Sequence, residues 1–194
     1  MFDPIVFENL KVALENQLYD LDNLDGRISI IDRKDILDMA VMSRQWSLRF
    51  MLTGGHKLEN SNLQHSFINA EVVLHSSISD ISDEILEREI KRPACALTVR
   101  FHCIVEDPVV DCPKVESILE EIWKRGIIPN QKLSQMFGQA TRPIAGEQIW
   151  LPFFYYNTIE LTFDRRIGEE QMEDLEEFIE CVLASLEALE DALL

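Results

Sequence analysis

Hydrophobic positions along the chain switch between two periods, and the switches divide it into elements. Phe7, Leu10, Leu14, Leu18 and Leu21 recur at three- and four-residue steps, one apolar stripe of an amphipathic helix. Asp3 stands where an N-cap belongs and Pro4 at the first helical position, where its missing N–H costs nothing; Asn23 and Gly26 end the helix. Arg27 to Asp32 reads as a short strand. From there to Ser43 the pattern divides between helix and strand, and Leu37, Ala40 and Val41 tip it toward helix. Gln45 to Thr53 then alternates, with Trp46, Leu48, Phe50 and Leu52 on one side and Gln45, Ser47 and Arg49 on the other, as a half-buried antiparallel strand does.

Gly54-Gly55 turns the chain, and a polar loop leads to a second strand from about Phe67 to Ser76. Ser82 with Asp83 and Glu84 reads as a helix start continuing to Lys91. Ala96 to Glu106 has the cleanest alternation in the chain: Leu97, Val99, Phe101, Cys103 and Val105 against Thr98, Arg100 and His102. Asp111 and Pro113 open a helix with the stripe Val115, Ile118, Leu119 and Ile122, closed by Gly126. Pro129-Asn130 reads as the start of a helical turn ending at Gly138. Ile149 to Tyr156 is strongly aromatic, and Ile159 to Asp164 alternates as a last strand. After Gly168 comes a long helix whose Met172, Leu175, Ile179, Val182, Leu186, Leu189 and Leu193 step by 3, 4, 3, 4, 3 and 4, with Phe178 and Leu183 widening the stripe. That width favours docking on the chain's own sheet over a free zipper. The elements add up to an α+β fold: a mixed, mostly antiparallel sheet with helices chiefly on one face and a long C-terminal amphipathic helix. No Pro-, Gly- or Ser-rich linker divides the 194 residues, so one domain is expected over 1–194.

Composition narrows the function classes. Apolar residues at 46% and charged residues at 27% supply a sizeable core and argue against overall disorder. No apolar run is long enough to span a bilayer, and the opening MFDPIVFENL lacks a basic stretch followed by an apolar one, so a cytoplasmic location is expected. Eighteen Lys and Arg against thirty-five Asp and Glu give −17, which repels phosphate backbones and anionic membranes. Ten acids and no base fall between Ile167 and Leu194, so that segment carries −10 and the rest −17 + 10 = −7. Cys95, Cys103, Cys112 and Cys181 show no CxxC spacing and read as reduced thiols.

Candidate chemistry is sparse. Arg49, Glu71, His75, Arg100, His102, Glu160 and Asp164 all fall opposite the apolar phase of their strands and share one sheet face if helices cover the other. A mixture of both signs there is what cross-strand ion pairs give, although Arg100 and His102 are also the residue types that bind an acidic ligand. Glu71 and His75, four apart in a strand, stand too far from each other to share a metal ion, and none is expected. There is no GxSxG, Walker loop or GxGxxG, so nucleotide cofactors are not expected, whereas a dispersed triad stays open. The segment RPIAGEQIWLP and its aromatic continuation place Arg142, Glu147, Trp150 and Tyr155 in a loop-to-edge region suited to binding, with Pro152 unable to donate to a ladder. These features favour an acidic interaction protein (adaptor, inhibitor or immunity-like regulator) with a protein partner of basic character, and leave a homodimer open. The competing reading is a small-molecule-binding or hydrolytic enzyme working on the polar sheet face.

Overall fold

A computed structural model describes residues 5–54, 68–85, 94–124, 127, 129–135, 141–143 and 150–193, with backbone alone at 81, 83–85, 141–143 and 150–152. Its elements run α1 (Ile5–Asn23), β1 (Ile28–Asp38), β2 (Ser43–Leu52), β3 (Asn69–Ser76), α2 (Ile78–Ile85), β4 (Ala96–Val105), α3 (Pro108–Trp123), β5 (Asn130–Ser134), β6 (Thr141–Pro143), β7 (Trp150–Pro152), β8 (Tyr155–Thr162), a 3-10 turn (Glu169–Asp174) and α4 (Leu175–Leu193). Six strands form one sheet in the order β1-β2-β3-β4-β8-β5, and β6 pairs with β7 apart from it. Every pairing is antiparallel. The fold is α+β, with the long C-terminal helix in place.

Alternation decides what each sheet face meets. Trp46 stands across from Leu74, Leu48 from Val72, and Phe50 from Ala70, while Phe101 lies between Ala70 and Ile159. These residues are buried together with Phe7, Leu10, Leu14 and Leu18 of α1, Val115 and Leu119 of α3, and Ile179, Val182, Leu186 and Leu189 of α4. One core therefore lies between the sheet and three helices. The opposite face carries the polar rows, as alternation requires.

Several sequence expectations need correction. The stretch from Arg33 to Ser43 is strand and turn, not helix: β1 runs to Asp38 and pairs with β2. Its alternation is broken by a bulge between Ile30 and Asp32, which shifts later residues by one face and mimics helical spacing. The turn has no glycine; the Asp38 carboxylate accepts from the backbone N–H of Ala40 (2.8 Å) and Val41 (3.3 Å), and Met42 takes the left-handed conformation at φ 52°. Residues 130–134 are β5, a sheet edge, rather than a helical turn. The aromatic and alternating segments near the end form β7 and a longer β8 beginning at Tyr155.

Helix ends also move. The Asp107 side chain caps α3 by accepting from Val109 N–H at 3.0 Å, with Pro108 at the first position, so the helix starts before Asp111 and encloses Pro113. Asp111 instead accepts from the N–H groups of Glu106 and Asp107. Lys124, at φ 49°, closes α3 before Gly126, which lies outside the described residues, as do Asp3, Pro4, Gly55 and Gly138. The α2 helix begins at Ile78 rather than Ser82, because the Asp80 carboxylate accepts from Ser77 N–H (2.8 Å) and Ser77 Oγ (2.7 Å). It is followed to Ile85, and the expected continuation to Lys91 falls outside the described residues.

Candidate functional site

The polar face converges on one carboxylate. Register sets Glu71 of β3 between Arg49 of β2 and Arg100 of β4, and Arg100 in turn across from Glu160 of β8. The Glu71 Oε2 atom lies 3.5 Å from Arg49, 3.7 Å from Arg100 and 3.7 Å from His102, and Arg100 Nε donates to Glu160 at 2.7 Å. Four of the seven residues assigned to this face from alternation thus form one charge row, running +, −, +, − across adjacent strands, and a fifth, His102, lies beside it. His75, across from Gln45 and Ala96, is on the same face outside the row; Asp164 lies beyond the end of β8.

Burial differs sharply within the row. The Glu71 side chain is 9% exposed, against 30% for Arg49, 33% for Arg100 and 32% for Glu160. Ser47 and Val73, on the same face, are buried as well. The Glu71 carboxyl is held down at about 2: the facing His102 imidazole contributes most, burial opposes it, and the Arg49 charge and a Ser47 hydrogen bond add to the lowering. At 3.7 Å the His102 approach is electrostatic rather than a formed hydrogen bond. Accordingly His102 Nε2 and Arg49 Nε are buried without hydrogen-bond partners.

This geometry limits the chemistry. A carboxyl ionised down to about pH 2 has no proton to give at neutral pH and is a feeble base. The order Thr158–His102–Glu71 does echo a hydroxyl–imidazole–carboxylate relay, with His102 Nδ1 3.3 Å from Thr158 Oγ1. Both links are longer than a working relay needs, and Thr158 sits mid-strand, paired on one side with His102 and on the other with Lys132. Neighbouring backbone N–H groups are therefore engaged in ladders rather than gathered to hold an oxyanion. Three of the cysteines are poorly suited as nucleophiles: burial pushes the Cys103 thiol up to about 12 and raises Cys112 and Cys181. Among the described residues no three His, Cys, Asp or Glu side chains converge as metal ligands.

The described loop-to-edge candidates have their backbone outside this row. Arg142 and Trp150 sit on the separate β6–β7 ladder, where Arg142 pairs with Leu151 and Pro143 with Trp150. Glu147 lies outside the described residues. Tyr155 starts β8 on the helix-facing side, half-buried against the core, whereas Phe153 just before it is 51% exposed. Phe154 and Tyr156 meet edge-to-face at 5.4 Å. The structure thus brings Arg100 and His102 together around Glu71, with Tyr155 on the opposite sheet face and the backbone of Arg142 and Trp150 on the separate ladder.

A second charged site lies at the helix layer, and sequence reasoning located only its acids. Outward residues of α4, among them Glu176, Glu177, Glu180, Glu187 and Asp191, are exposed. Arg27 holds Glu180 through two hydrogen bonds of 2.7 and 3.1 Å. Arg27 also lines two clefts: one of about 400 Å³ with Gln17, Asp20, Asp25 and Glu176, the other of about 480 Å³ with Gly54, Glu187, Glu190 and Asp191. No described helix is long and apolar enough to cross a membrane. The chain matches no protein-family model, no curated protein and no solved structure.

Proposed function

We propose that this chain is a protein-interaction module that receives a basic protein partner on the outer face of α4. One observation carries the reading. The helix buries Leu175, Ile179, Val182, Leu183, Leu186 and Leu189 and turns a single-sign face to solvent, beside two acid-lined clefts. Such a face costs the folded chain self-repulsion, and a cationic partner relieves it. Clustered like charge also steers encounter and makes association salt-dependent. The charge row around Glu71 serves on this reading as an internal tie of the sheet, its charges already matched within the chain.

The experiment is titration of a lysine-rich helical peptide into the protein, followed by calorimetry at low and physiological salt. The triple variant Glu176→Lys, Glu177→Lys and Glu187→Lys is expected to weaken binding at least tenfold. The exposed α3 pair Glu120→Lys and Glu121→Lys is expected to leave it within about twofold. Equal losses in both variants would mean that only net charge matters, and the reading would fail.

A further inference from the structure

We infer that the outer edge of β1 pairs with the same edge of a second copy, making a homodimer with a continuous sheet. Among the described residues β1 is the terminal strand of the six-stranded sheet. It is eleven residues long, an edge of roughly 36 Å at about 3.3 Å per residue. Long edge strands are usually blunted, because their free N–H and C=O groups invite another strand. Here the blunting is partial. The bulge at Ile31 distorts one end, whereas Asp32 to Asp38 keeps an unbroken register with β2.

The apolar surface around this edge is concentrated. Ile31, Ile36, Leu37, Met39, Val41 and Met42 are 42–61% exposed within twelve consecutive positions. Met42 keeps an apolar side chain at a positive φ, where glycine or asparagine is the easy choice, so the turn bears backbone strain at the end of this stretch.

Charge decides for a second copy as occupant. Two chains of −17 approach best where each is locally compensated, and the hairpin is such a place. Each of its cations is matched inside the chain: Arg33 by Glu15 (2.6 Å), Lys34 by Asp32 (2.6 Å), and Arg44 by Glu8 and Asp35. A basic partner gains little there. An antiparallel two-fold pairing centred on Lys34 sets Arg33 of each copy across from Asp35 of the other, and Ile31 across from Leu37. The one like-charge contact, Lys34 with Lys34, is offset by Asp32 on each strand. Centring on Arg33 instead opposes the two Arg33 residues and sets Ile31 against Asp35, which is worse on both counts.

Sedimentation equilibrium of the full chain, at low and at physiological salt, tests the proposal. A mass of twice 22.5 kDa is expected, with association tightening as salt screens the remaining repulsion. Ile36→Lys and Leu37→Lys, in chains checked by circular dichroism, are each expected to weaken the dimer at least tenfold although each lowers the net charge. Val109→Lys, at an 83%-exposed site on α3, makes the same charge change and is expected to leave it intact. In the unmodified protein, amides of 32–38 are expected to exchange more slowly as concentration rises, which needs no variant. A monomer under all conditions, or a dimer indifferent to both strand variants with unchanged exchange at 32–38, would overturn the inference.

Discussion

Glu71 shows how one position couples the sheet to pH. Its folded carboxyl lies at about 2, below the ordinary 4.5, so its stabilising share is complete above about pH 4.5 and is lost as pH falls from there toward 2. The ceiling on that share is on the order of 3 kcal/mol, since each unit between folded and unfolded values is worth about 1.4 kcal/mol. Replacing Glu71 by Gln leaves Arg49 and Arg100 without the anion between them. Glu71→Gln is expected to cost about 2–3 kcal/mol at pH 7, and the penalty should fade toward pH 2 as the native carboxyl gains its proton. Urea denaturation at pH 7, 4 and 2.5 measures both; a penalty equal at all three would show that Glu71 acts through packing and not through charge. The carboxylate was legible from alternation as one of seven polar-face residues. Its central place was not, because strand order and register decide which neighbours face it.

At the scale of elements, legibility followed the regularity of the local pattern. The β2 and β4 strands and the buried stripe of α4 could be read directly, since a period of two or of 3.6 survives in the sequence when nothing interrupts it. β1 could not, because its bulge resets the alternation and its turn uses Asp38 and a left-handed Met42 in place of glycine. The α3 start was misplaced because Asp107-Pro108 and Asp111-Pro113 offer the same capping chemistry four residues apart, and the earlier pair caps the helix. Within α4, Ser185 falls on the apolar stripe and is fully buried, accepting from Trp123 Nε1 at 3.0 Å and donating to the Cys181 carbonyl at 2.8 Å. Trp123 in turn packs with Phe163 and Phe178, at centroid distances of 5.3 and 5.8 Å. A helix fastened by its apolar stripe and by this aromatic group is part of the core. Deletion of residues 169–194 is therefore expected to leave a chain that no longer unfolds cooperatively, because each buried Leu, Ile or Val contributes about 1.5–3 kcal/mol. A soluble truncated chain with an unchanged thermal transition would show a detachable tail instead.

Over the whole molecule, the −17 charge is spread so that ion pairs join elements while α4 turns its acids outward, one of them, Glu180, held by Arg27. Lys11 bridges Glu8 (2.8 Å) and Asp35 (3.1 Å), and Arg44 lies over the Phe7 ring at 5.0 Å while holding Asp35, so α1 is tied to the β1–β2 hairpin by matched charge. The last turn of α4 contains no base of its own, although Lys114 of α3 donates to the Ala192 carbonyl at its end. Acids there oppose the helix dipole, whose C-terminal end favours cations. Asp191 is exposed and stands four residues after Glu187, so a lysine at 191 would face the dipole favourably and complete a Glu–Lys pair in its better orientation. Asp191→Lys is expected to stabilise the protein by about 0.5–1.5 kcal/mol in chemical denaturation at low salt. The gain should shrink as salt rises toward about 0.5 M, since both contributions act through solvent. A gain that persists undiminished at high salt would trace the effect to side-chain packing at position 191, and the electrostatic account of α4 would have to be abandoned.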